Sequence, residues 1–176
     1  MRRYALLALA ATAALAMPTS AALPPGAVAP DFTTVGALAG KPFRLHLAEQ
    51  LRHGPVVLYF YPKAFTKGCT LETKAFSDAM PQFRRARARV IGMSADDLPT
   101  LKRFSVEACR GRFPVATASP AVIAAYDVKL PVVSMSNRTS YVIAPDGRIR
   151  FVHSELNWQE HVAKTLAAVR ALQRSS

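Results

Sequence analysis

Cys69 closes the run Pro62-Lys63-Ala64-Phe65-Thr66-Lys67-Gly68-Cys69, which follows the apolar stretch 56–61. The stretch reads as a buried strand that breaks at Pro62, and a helical pattern resumes at Thr66, so the sulfur is expected at a helix N-terminus. Unpaired N–H groups converge there, and the positive end of the helix dipole favours an anion such as a thiolate. A free thiol is only about 3% ionised at pH 7, and nucleophilic attack needs the anion. Moving the equilibrium by two units takes roughly 2.7 kcal/mol, whereas a helix terminus provides about 0.3 to 1 kcal/mol. A fixed cation is therefore needed as well, and an adjacent guanidinium can shift an acid by about 1 to 3 units.

The only other cysteine is Cys109. Two readings of the pair stand at this point. One is a reactive pair; the other is a structural disulfide, whose loop of about 40 residues would stabilise the fold by roughly 4 kcal/mol. No Cys-x-x-Cys occurs, so the usual dithiol exchange site is not encoded. His46, His53, His153 and His161 show no metal-ligand spacing and read as surface or core residues.

These side chains need a scaffold. A Pro-rich lead ends in Asp31-Phe32, followed by Gly40-Lys41-Pro42 and a short candidate strand over 43–47. The strand 56–61 is followed by a helix over 66–85, expected to be interrupted or kinked at Pro81, and then by a strand over 89–93. Strand, helix, strand implies a parallel crossover. Asp96-Asp97-Leu98-Pro99 opens a further helix that runs to about Cys109 and stops at Gly111. A short strand is expected over 113–117, a short helix over 120–126, and a hairpin of 139–144 with 148–152 across Pro145-Asp146-Gly147. In the last segment, 157–173, Trp158, Val162, Leu166, Val169 and Leu172 recur near helical spacing, which predicts a helix facing the sheet with Trp158 in the core. The sum is an α/β fold, a thioredoxin-like three-layer sandwich with a central mixed β-sheet flanked by helices.

Pro62-x-x-x-Thr66-x-x-Cys69 resembles the active-site signature of the peroxiredoxins, thiol enzymes that reduce hydroperoxides on a thioredoxin fold. The resemblance extends through Pro30-Asp31-Phe32, Gly68-Cys69-Thr70 with Glu72, Phe76 and Asp78, Gly92 with Ser94, and Arg138-Thr139 with Pro145-Asp146-Gly147. Within the family the chain is most similar to the bacterioferritin comigratory protein, or peroxiredoxin Q, group. It departs from that group in having Lys67 where Pro is usual, Ala64-Phe65 where a polar pair is usual, and Lys74 where a second cysteine is common.

The resemblance implies a role for each site residue. Cys69 is the thiol that attacks the peroxide, and Arg138 supplies the cation, although read alone it is an ordinary surface residue before a strand. Thr66, which could simply cap the helix, would accept from one peroxide oxygen. Pro62, otherwise a strand terminator, would shield the sulfur from water. Glu72 would orient Arg138, or face solvent. Cys109 resembles the resolving cysteine of a second version of the group. The implied cycle is a Cys69 sulfenate condensing with Cys109 and reduced by a thioredoxin-like or other dithiol, with no metal or organic cofactor.

Residues 1–21 combine a basic start, Arg2-Arg3, an apolar Ala- and Leu-rich stretch and a small-residue region, which reads as a signal peptide. Export to the periplasm is expected, with residues 22–176 forming one peroxiredoxin domain and no lasting membrane insertion. Without Arg2 and Arg3 the net charge of +12 becomes +10. The densest basic run, Arg84-Arg85-Ala86-Arg87-Ala88-Arg89, lacks interleaved aromatics and sits where a helix dipole favours cations, so it is read as a solvated face and not a nucleic-acid site. The expected partners are a hydroperoxide and a dithiol reductant, and a monomer is expected. The rivals are a non-enzymatic domain with a structural disulfide and a sensor that passes oxidation to a partner.

Overall fold

The computed structural model describes residues 22–174; the segment expected to be a signal peptide lies outside the described residues. The elements in chain order are β1 (Thr33–Leu38), β2 (Lys41–His46), α1 (Leu47–Leu51), β3 (Val56–Phe60), α2 (Lys67–Arg85) and β4 (Arg89–Ser94). They continue as α3 (Leu98–Glu107), β5 (Val115–Thr117), α4 (Pro120–Ala125), β6 (Thr139–Ile143), β7 (Ile149–Ser154) and α5 (His161–Arg174).

The strands form one mixed sheet in the order β2-β1-β5-β4-β3-β6-β7. β3 lies parallel to β4 across the α2 crossover and antiparallel to β6 on its other side. Both neighbours cover it, so every residue of β3 is buried, and alternation divides its side chains between two cores. Val57, Tyr59 and Tyr61 face a cluster built with Phe76 and Phe83 of α2, Leu101 and Phe104 of α3, and Leu166 and Val169 of α5. Val56, Leu58 and Phe60 face a second cluster with Leu47 and Leu51 of α1, Ile123 of α4, and Ala29 and Phe32 of the Pro-rich lead. This is the expected three-layer sandwich.

Two elements go unassigned in the sequence reading and two expectations are corrected. The burial of β1 does not alternate regularly, and it is a strand because β2 and β5 pair with both its edges. α1 is a single short helix after the edge strand that no periodicity could reveal. Pro81 neither interrupts nor ends α2. Its missing N–H would have served the Ser77 carbonyl, and the Arg112 Nη1 donates to that oxygen instead, at 3.0 Å. The last helix begins at His161 rather than at 157, which leaves Trp158 half-buried before the helix and outside both clusters.

Candidate active site

Three elements bring a sulfur, a guanidinium and a carboxylate together. Cys69 stands in the first turn of α2 and is 1% exposed. Arg138, just before β6, is 6% exposed, and all three of its nitrogens are committed. Nη2 donates toward Cys69 Sγ at 3.5 Å, Nη1 pairs with Glu72 Oε2, and Nε donates to the Leu156 carbonyl at 2.8 Å. The guanidinium is thus held in one orientation with one edge toward the sulfur. Gly68 gives it room, since a Cβ there would stand 3.3 Å from Nη2 and 3.8 Å from Cδ1 of Trp158.

The loop that leads into α2 is held in a strained shape. Phe65 has a φ of +64°, unusual for a bulky side chain. The Ala64 N–H donates to Asp96 Oδ2 at 2.7 Å, the Thr66 hydroxyl donates to the Lys63 carbonyl at 3.0 Å, and Ser136 Oγ donates to the Tyr61 carbonyl at 3.0 Å. The Phe65 ring packs edge-on against Phe104, with centroids 5.1 Å apart, and Arg103 lies over its face. Thr66 occupies the N-cap position, yet its hydroxyl makes no cap, which corrects the sequence reading. Thr66 is exposed, and with its proton given to the Lys63 carbonyl its hydroxyl oxygen can accept from a ligand. Pro62, half-buried, takes the chain out of β3 beside this loop, and Lys67 is exposed.

Glu72 does not face solvent. It is fully buried one turn beyond Cys69, and desolvation pushes its carboxyl up to about 8 against the opposing pull of Arg138. Its second oxygen, Oε1, is buried without a hydrogen bond and stands 3.7 Å from Nδ1 of His161.

Cys109 is fully buried two residues after α3, in the same apolar cluster as Cys69, and both thiols are free. Burial pushes the Cys109 thiol well above the usual cysteine range. Ser77 Oγ donates to the Cys109 carbonyl at 3.1 Å, tying this segment to α2. The structure therefore gathers Cys69, Arg138 and Glu72 into one contact set, puts Thr66 and Pro62 on the adjoining loop, and leaves Cys109 unbonded to Cys69.

Sequence reasoning missed Asp96, Ser136, Trp158 and His161. Asp96 was read with Asp97 as the acidic start of a helix. Only Asp97 caps α3, accepting from the Thr100 N–H at 2.9 Å, and Asp96 is left free to hold the thiol loop. No local signal separated the two.

Residues 25–152 match the model of the AhpC/TSA family. The crystal structure of the peroxidoxin BcpB from Mycobacterium tuberculosis is similar with a TM-score of 0.73 and 34% identity, covering 84% of this chain and 97% of that one. Peroxiredoxin Q of the Triticum aestivum chloroplast is 31% identical over 84% of this chain and 67% of its own length. AhpC of Mycobacterium tuberculosis, at 20% identity and a TM-score of 0.77 over 88% of this chain and 95% of that one, shares the fold.

Proposed function

This chain belongs to the AhpC/TSA family and is a thiol peroxidase of the peroxiredoxin Q type, and from that premise we propose that Cys69 is the thiol that reduces the hydroperoxide. The observation that carries the assignment is the buried guanidinium of Arg138 at 3.5 Å from Cys69 Sγ. A positive charge there, out of water, favours the sulfur anion and the negative charge that grows on a departing oxygen.

The thiolate attacks the terminal peroxide oxygen in line. An S–O bond forms, the O–O bond breaks, and the leaving oxide takes a proton and departs as water or alcohol. Sulfur is oxidised by two electrons to the sulfenic acid. The Thr66 hydroxyl accepts from one peroxide oxygen while Arg138 donates to the other, and Pro62 restricts water at the sulfur. Cys109 then attacks the sulfenic sulfur, an S–S bond forms and water leaves. A dithiol donor returns both thiols and is itself oxidised.

Because both sulfurs are buried in helical or helix-terminal backbone, that condensation requires the first turn of α2 or the 108–112 segment to open locally. Phe65, 39% exposed at the loop, supports acceptance of alkyl hydroperoxides as well as hydrogen peroxide.

The test is to mix reduced protein with one equivalent of hydrogen peroxide and to follow mass and rate. We expect loss of two hydrogens as an internal disulfide. Stabilisation of the departing oxyanion by a preorganised donor accounts for about 100-fold or more, so the native protein should react at least about 100 times faster than the urea-unfolded chain. Equal rates in the two states would overturn the proposal.

We further propose export, on the sequence of residues 1–21. Edman sequencing of protein recovered from the periplasm should begin at Ala22, and a retained Met1 on soluble cytosolic protein would count against it.

A further inference from the structure

Beside the Glu72 oxygen that Arg138 does not hold lies a buried group that the peroxidase steps above do not use. His161, at the start of α5, is fully buried. Its Nε2 stands 2.9 Å from the Glu155 carbonyl, which can only accept, so the ring proton is on Nε2. Nδ1 is then a lone pair, and it accepts from Ser140 Oγ at 2.8 Å. The Glu72 Oε1, 3.7 Å from Nδ1, faces that lone pair with no donor of its own. Ser140 has a single proton and has spent it on the imidazole. Two acceptors therefore confront each other in a site from which water is excluded, and one added proton resolves the conflict. On Oε1 it donates to Nδ1; on Nδ1 it donates toward Oε1 or Ser140.

Charge balance ties that proton to the sulfur. With Cys69 as a thiol, the buried set of Glu72 carboxylate and Arg138 is neutral. With Cys69 as a thiolate, the set is neutral only if the Glu72–His161 pair holds one proton. We propose that Glu72 and His161 form a buried proton-holding pair that loads one proton when Cys69 ionises, so that His161 is a positioning residue for the thiolate although it does not touch the sulfur. No electrons move in this step: the S–H proton leaves to solvent and a proton enters at Oε1 or Nδ1. The inference rests on Cys69 being the peroxidatic thiol.

The electrostatics agree in direction. Desolvation pushes the Glu72 carboxyl up to about 8 and holds the His161 imidazole down at about 4, so a proton that the pair takes up goes to the carboxyl side. The other groups facing the pair are the Tyr59 phenol from β3, Arg138 ahead of β6, the His153 ring from β7 at 4.5 Å between centroids, and Lys164 and Glu160 about α5. Burial keeps His153 below its ordinary range as well, so it adds no positive charge at neutral pH. Tyr59 is held far above neutrality by burial and stays uncharged.

The experiment reads the alkylation rate of Cys69 by iodoacetamide between pH 5 and 9 in a Cys109→Ser background, with no peroxide present. Glu72→Gln imitates the loaded pair, since its amide donates to Nδ1 while its carbonyl accepts from Arg138. It should raise the alkylation rate about tenfold at the acid end of this range, because a single buried charge shifts a neighbouring acid by about 1 to 3 units. His161→Phe removes the acceptor and should lower the rate by a similar factor; His161→Gln, which keeps a donor to the Glu155 carbonyl, covers the case in which the Phe variant does not fold. The double variant should behave as Glu72→Gln. A loss of rate in both single variants would overturn the inference, because that is what simple support of Arg138 predicts. Failure of peroxide reduction in the wild type would instead sink the proposed function while leaving the alkylation result to stand or fall by itself.

Discussion

Reduced Cys69→Ser protein is expected to leave hydrogen peroxide unconsumed, with Cys109 recovered as a thiol. Cys109 cannot stand in, because it is fully buried and its thiol is pushed well above the ordinary range by desolvation, leaving it protonated and out of reach. Reduced Cys109→Ser protein should behave differently: it consumes one equivalent rapidly to give a trapped sulfenic acid, and excess peroxide takes this to sulfinic acid with a second equivalent, after which consumption stops. Mass spectrometry of the intact chain distinguishes the three outcomes, an internal disulfide in the wild type, no change at residue 69 in the first variant and added oxygen in the second. The rival structural disulfide makes another forecast. By chain entropy its reduction would cost roughly 4 kcal/mol, so reduced wild type would be much less stable than oxidised protein even without peroxide. In the structure both thiols are free and the core is closed around them, which supports a well-folded reduced state.

Arg138→Met is expected to slow the reaction with peroxide by roughly 100- to 1000-fold, the scale seen when one preorganised donor to a developing anion is removed. The same change strips Glu72 of its partner, and breaking a buried pair this way can cost about 3 to 5 kcal/mol when the remaining group stays charged. The pH dependence has a definite sign. Glu72 has its folded value raised to about 8, above that of an unfolded glutamate, so the folded state holds its proton more tightly and stability falls as pH rises from about 4.5 to 8. Without Arg138, which pulls the carboxyl down, that loss continues to still higher pH. Thermal melting of wild type and variant should therefore differ least near pH 4.5, where Glu72 is protonated in both folded proteins, and most at pH 8. A gap that is constant across this range would show that Glu72 carries no charge in either protein. Arg138→Lys should recover little of the rate, since one ammonium cannot reach Sγ, Glu72 and the Leu156 carbonyl at once.

Much of this could be seen before any coordinates. The break at Pro62, the start of α2 at Lys67 and the placement of Cys69 in its first turn depend on residues within four positions of one another. So do the Asp146-Gly147 hairpin, with Gly147 at a φ of +78°, and the Asp97 cap of α3. Turns, caps and apolar periods are short-range physics, and a single sequence encodes them directly. By itself it also limited the chemistry to two cysteines without a Cys-x-x-Cys pair.

The rest depended on sheet order. Arg138 meets Cys69 and Glu72 because β3 pairs with β6 in the register Phe60↔Thr139, which sets the end of one strand beside the start of the other. Asp96 reaches Ala64 because β4 lies parallel to β3, and Arg112 rescues the Ser77 carbonyl left bare by Pro81 because the segment 109–112 after α3 is bonded to α2. His161 could be read from sequence only as surface or core, and no spacing marked it as the residue facing the bare oxygen of Glu72. Such contacts join segments more than thirty residues apart, and nothing in the local pattern specifies them. They arise when burying both faces of one strand forces distant polar groups into the same dry space, where each must find a partner.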